Sequence, residues 1–217
     1  MPVLGYTPEH NAYPYNYMIG SEAQRRDAVD YLKLSLEMAK EMGAEFVLTS
    51  PANGGYLATY DQLWGRLEKN IQELGDYAAK LEIKLVVEAL TPYESNFFTR
   101  ANDLVELFRR VDNPYVVGMC DIVPPFVQHE SIMAYFDKLG NKMDHMHIID
   151  GENGSDTHMI PGEGNIPIKE MLYEMKRIGY DKTATLELVT NYINEPRFYA
   201  KRAIDNMREL MAEAGIV

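Results

Sequence analysis

The chain has 217 residues, 21 basic against 33 acidic, a formal net charge of -12 and one cysteine, Cys120. That length suffices for one sizeable domain with a buried core, and the lone cysteine excludes an intrachain disulfide framework and fits a reducing cytoplasm. With no clustered basic run to neutralise phosphates, no apolar run long enough to span a membrane and no signal pattern in MPVLGYTPEH, neither nucleic acid nor a membrane is an expected partner.

Short apolar runs alternate with longer amphipathic segments. The first predicted strand is 3–6, followed by a helix over 21–42 that places Ala28, Tyr31, Leu32, Leu36 and Ala39 on one face. EMGAEFVL then turns through a glycine into a strand over 46–50. A helix over 62–80, a strand over 84–90, a helix over 102–110 and a strand over 115–122 come next. The rest reads as a helix over 131–139, a strand over 145–149, a helix over 168–178 that Pro167 can open, a strand over 183–189 and a helix over 197–214. Strands rich in Val, Ile and Leu, recurring at intervals of roughly 25–40 residues with helices between, are the βαβ rhythm of a buried parallel sheet.

No G-x-G-x-x-G follows any strand, which weakens a dinucleotide-binding reading. The polar residues favour a (β/α) barrel instead. Glu88 in KLVVEAL, Asp121 in VVGMCDIV, His147 in DHMHIID and Glu187 in ATLELVT each lie at or near the C-terminal end of a strand, where such barrels build their sites. The chain supplies six strands where a full barrel has eight and takes about 250 residues, so the expectation is one barrel domain over 1–217 lacking its first two βα units at the front. Open sheet edges invite pairing with another chain, so a homo-oligomer is expected.

An unpaired charge inside a parallel sheet is costly. Three acids and a histidine on four strands are accounted for by a shared divalent ion or by scattered ion pairs, and the pattern leaves both open. As a ligand set they are hard and oxygen-rich, suited to Mn²⁺ and tolerant of Co²⁺, Mg²⁺ or Zn²⁺.

LVVEALTPYESN, MCDIVPPFV, HMHIIDGENGSDTHMIPGEG and ATLELV resemble the motifs of the sugar phosphate isomerase/epimerase superfamily, the xylose isomerase-like TIM barrels. The match extends over essentially the whole chain and is closest to fructoselysine 3-epimerase-like members. The resemblance implies a metal held by Glu88, Asp121, His147 and Glu187. It implies that Glu88 and Glu187 are also the acid/base pair that inverts C3 of a ketose or a ketose adduct through an enediolate, and that Glu94 binds substrate. Two departures concern the substrate. Free-ketose relatives have a histidine shortly after the aspartate, where DIVPPFV has Pro124 and Pro125. They have an arginine before the P-G-x-G turn, where Met159 follows His158. Both are compatible with a sugar–amine adduct.

Asp156 and His158 form a D-x-H pair, expected to contact substrate or to shape the loop. Tyr6, Tyr13, Tyr15 and Tyr17 can form a wall for a sugar or pack on a second subunit. His145 is expected to be a packed interior histidine, His10 and His129 surface or loop residues, Trp64 helix packing and Cys120 core. The competing functions are an aldose–ketose isomerase, an endonuclease IV-type nuclease, and a sugar-binding or assembly protein without turnover.

Overall fold

The structure is a computed structural model that describes residues 2–10, 14–152 and 154–216. Tyr13 lies outside the described residues. Six strands and seven α-helices are described: β1 (Gly5–Tyr6), α1 (Glu22–Glu41), β2 (Phe46–Thr49), α2 (Tyr60–Leu81), β3 (Lys84–Val87), α3 (Ala101–Arg110), β4 (Val116–Asp121), α4 (Val123–Val127), α5 (Met133–Leu139), β5 (Met143–Ile148), α6 (Ile168–Ile178), β6 (Thr183–Leu186) and α7 (Pro196–Glu213). The chain forms two compact units, one of Met1–Met119 with Lys138–Asp144 and one of Cys120–Asp137 with His145–Val217.

In the first unit β1, β2, β3 and β4 pair in parallel in chain order. Register follows the pleat: Phe46 and Leu48 of β2, Val86 of β3, and Val117 and Met119 of β4 form one buried cluster, with Leu4 packed against it. The long helices start at paired caps. Ser21 accepts from the backbone N–H of Gln24 while the Gln24 side chain accepts from that of Ser21, and Thr59 and Gln62 repeat the arrangement at α2. Helix α1 buries Ala28, Val29, Leu32, Ser35, Leu36 and Ala39. The expected Tyr31 instead stands at the margin of this face, its ring stacked on Tyr15 at 4.1 Å. Helix α2 lies so close to β4 that a Cβ on Gly75 would come within 2.5 Å of Val116. Trp64 is buried against Phe97 and Phe98, with the Arg110 guanidinium over its ring, so it is helix packing as expected.

In the second unit β5 and β6 pair in parallel, His145 opposite Thr183 and His147 opposite Thr185. Helix α6 stops at Gly179, whose φ of 72° is one that glycine adopts without steric cost.

Some elements are shorter than their apolar runs. β1 is Gly5–Tyr6 rather than 3–6, and β6 ends at Leu186 rather than 189, because ladder hydrogen bonds rather than composition set strand ends. The segment after Asp121 holds a helix not foreseen in the sequence, α4. Its Pro124 and Pro125 occupy the first turn, where a missing N–H costs nothing. The following helix therefore begins at Met133 and not at 131.

Candidate functional site

The second unit brings four sequence-predicted residues, Asp121, His147, His158 and Glu187, to the C-terminal ends of its strands, with Asp156 behind His158. Asp121 ends β4, and its Oδ1 accepts from the backbone N–H of Val123 at 2.7 Å, tying the carboxylate to the start of α4. Its Oδ2 lies 3.8 Å from Nδ1 of His147 on β5. Glu187 directly follows β6, and its Oε2 is 3.4 Å from the same Nδ1. Strand alternation produces this arrangement: Thr183, Thr185 and Glu187 share one face of the pleat, opposite His145 and His147. His145, nearly fully buried, has Nδ1 2.7 Å from the Thr183 hydroxyl and Nε2 3.1 Å from the Thr185 hydroxyl. It is the packed interior histidine expected of it.

His158 reaches the same carboxylate from the loop before α6. Its Nε2 lies 3.1 Å from Glu187 Oε2 and its Nδ1 lies 2.8 Å from Asp156 Oδ1. Both ring nitrogens face carboxylate oxygens, so both carry protons. Burial opposes the charge, but the hydrogen bonds to Asp156 and Glu187 and the nearby Asp121 outweigh it and raise the imidazole pKa to about 10. For Glu187, burial also opposes the charge, yet hydrogen bonds from His147 and His158 and their positive charge hold the carboxyl well below the usual carboxylate range.

Asp121, His158 and Glu187 each offer a donor atom, all within 4.8 Å of one another. Two carboxylates and an imidazole make a hard set that fits a divalent first-row ion once the His158 ring gives up a proton, as a ligating histidine must. His147, named in the sequence set, faces the same Glu187 Oε2 as His158 and lies 3.8 Å from Asp121 Oδ2.

In the first unit, Glu88 directly follows β3 and is buried, 7% exposed, and its backbone N–H donates to the Thr49 carbonyl. Glu94 Oε2 accepts from the backbone N–H and the hydroxyl of Thr91 at 3.1 and 2.8 Å, a bond that shapes its own loop. Tyr6 is half-buried on β1 beside Val47.

His10 lies in a loop, one of the two places expected, but is buried there: Ser50 N–H donates to its Nε2 at 3.1 Å, its Nδ1 is 2.7 Å from the Pro8 carbonyl, and burial lowers its pKa. One reading needs correction. Tyr17 belongs to the core rather than to a sugar wall: it is 1% exposed and its hydroxyl donates to the Ser50 carbonyl. The partner that both side chains share, Ser50, lies 33 residues from Tyr17 and 40 from His10.

Sequence reasoning missed Asp150. It is 1% exposed, and its carboxylate accepts four backbone hydrogen bonds, from Gly151 and Ile166 at Oδ1 and from Gly162 and Gly164 at Oδ2. The available signal was an acid placed directly after the apolar end of a strand and before the glycines of PGEG.

Fructoselysine 3-epimerase of Shigella flexneri is 48% identical over 98% of this chain and 77% of its own length. Among solved structures, 3-keto-D-glucoside 4-epimerase of E. coli superposes with a TM-score of 0.81 at 15% identity, over 98% of this chain and 80% of that one. The IOLI protein with a zinc atom bound superposes at 0.78 and 19% identity, over 98% and 76%. At such identities the structural likenesses speak for the fold alone. A second relative at 48% identity, from Escherichia coli O157:H7, is also a fructoselysine 3-epimerase, and the chain is an enzyme of the isomerase class. Residues 4–210 match the xylose isomerase-like TIM barrel family, and the chain belongs to that family.

Proposed function

We propose that the chain is a divalent-metal-dependent sugar 3-epimerase acting on a ketose or a ketose adduct of the fructoselysine–psicoselysine type. The observation that carries this reading is the 48% identity to fructoselysine 3-epimerase along 98% of the chain. The grouping of Asp121, His158 and Glu187 supports the metal dependence. In this reading Glu88, Asp121, His147 and Glu187 hold the ion, Mn²⁺ before Co²⁺, Zn²⁺ or Mg²⁺. A bound ion would act as a Lewis acid toward the substrate carbonyl.

Glu88 and Glu187 do the proton work. One carboxylate takes the proton from C3 and the other returns one to the opposite face, so the centre inverts with no net change in oxidation. Glu187 is held by two imidazoles in the ionised form that a base requires, at a cost in basicity. Glu94, Asp156, His158 and Tyr6 are assigned to the substrate side, with Pro124, Pro125 and Met159 accommodating an amine-bearing adduct. A cytoplasmic homo-oligomer completes the reading. It is supported by the buried thiol of Cys120 and by edge strands: among the described residues β1 pairs with β2 alone and β6 with β5 alone. Among the described residues no helix is long and apolar enough to cross a membrane.

The test is turnover of fructoselysine in D₂O with Mn²⁺, read by NMR. Deuterium entering at C3 is the expected result. Label confined to C1 would replace the epimerase reading by an aldose–ketose isomerase.

A further inference from the structure

We propose that Asp150 is a positioning residue, whose carboxylate clamps the loop before α6 so that His158 is delivered to Glu187. The inference rests on the reading of Glu187 as a reacting carboxylate.

Four backbone N–H groups converge on this one side chain. Those of Gly151 at 2.9 Å and Ile166 at 3.0 Å reach Oδ1, and those of Gly162 at 2.9 Å and Gly164 at 3.0 Å reach Oδ2. The partners span sixteen residues of chain, from 151 to 166, so one carboxylate fixes both ends of the loop. The backbone of Asp150 adds a two-bond bridge to Met159, 2.8 and 2.7 Å long, next in sequence to His158. Gly164 is part of the same fit, since a Cβ there would lie 2.4 Å from the Gly151 carbonyl and 2.5 Å from Asp150 Oδ1.

The clamp accounts for a second feature. His158 has a φ of 44°, in the left-handed region that a non-glycine residue enters only at an energetic cost. Such a conformation persists only where its surroundings over-determine it. Here they do so on both sides: the Met159 bridge holds the following residue, and Asp156 and Glu187 hold the ring. The four bonds of the Asp150 carboxylate all go to backbone amides, and none goes to Asp121, His147, His158 or Glu187. Asp150 acts through the loop.

The variants Asp150→Asn and Gly164→Ala, made in the full chain, test this. The amide of Asn presents one acceptor oxygen and an NH₂ group to four N–H donors. The alanine pushes the loop off an intact carboxylate. Both should speed hydrogen exchange at Gly162, Gly164 and Ile166, measured by NMR in chelator, while amides of β6 keep their wild-type rates. Both should lower kcat by about 100-fold, the order expected for a misplacement of roughly 1 Å, with a far smaller change in KM. The discriminating measurement is a double-mutant cycle with His158→Gln. If Asp150 acts through His158, adding Asp150→Asn to that background costs little more. Loosened loop amides with unchanged kcat, or fully additive losses, would overturn the proposal. If the wild type turns over no ketose, the functional reading fails by itself, and the variants are judged on exchange and on Mn²⁺ affinity by calorimetry. Unchanged values of both would then overturn the positioning role.

Discussion

Nε2 of His158 lies 3.1 Å from Oε2 of Glu187, although 29 residues separate them in the chain. Each stabilises the other's charge, so the pair links stability to pH. The Glu187 pKa is depressed from its ordinary 4.5, so its contribution is complete above that value and is lost as pH falls through the folded-state pKa. The His158 pKa is raised from 6.5 to about 10, so its contribution is complete below 6.5 and is lost as pH rises toward 10. In chelator, this pair's contribution to the melting temperature should therefore be greatest between pH 4.5 and 6.5 and fall on both sides. His158→Gln should flatten the alkaline arm. An alkaline arm identical in wild type and variant would show that the pair does not contribute.

Glu187→Gln removes the charge and the proton acceptor while keeping the shape. We expect kcat to fall by about 10²- to 10⁴-fold, the usual worth of a general acid–base group. Glu88→Gln should do the same. If both carboxylates serve the same proton-transfer sequence, the double variant should lose far less than the product of the two single losses.

Removing the metal should abolish turnover, and adding Mn²⁺ should restore it. Carboxylate and imidazole ligands bind metal in their deprotonated forms, so Mn²⁺ affinity should weaken as pH falls. Calorimetric titrations at several pH values check this, and an affinity independent of pH would count against the assigned donors.

Two glycines of α2 should respond in opposite directions. Beyond its chain neighbours and its own helix backbone, a methyl group at Gly65 would meet nothing within 4 Å, so Gly65→Ala should stabilise by about 0.5–1 kcal/mol through helix propensity. At Gly75 the same methyl would meet Val116 at 2.5 Å, so Gly75→Ala should lose about 1–3 kcal/mol through overpacking. Urea unfolding of the two variants distinguishes these signs.

An oligomer is expected because β1 and β6 each have one strand partner among the described residues, and because Ile193 and Phe198, beyond β6, are 71% and 60% exposed. Size-exclusion chromatography with light scattering should give a mass above the 24.8 kDa of one chain. A stable monomer at micromolar concentration would refute the expectation.

The sequence by itself determined the parallel βα order, the helices, and the placement of Glu88, Asp121, His147 and Glu187 at strand ends. These follow from local rules. A helix or strand buries one face, so its period is written in neighbouring residues, and an isolated acid closing an apolar run stands out in any reading. Tertiary structure alone decided which imidazole joins which carboxylate, and which polar residues go inside. His158 meets Glu187, and His10 and Tyr17 are buried, through partners dozens of residues away. Asp150 matters because four amides spread over a loop turn toward one side chain, a convergence that leaves no period in the sequence. Local spacing encodes the direction of a side chain from its own backbone, whereas the meeting of two side chains depends on how the intervening chain closes.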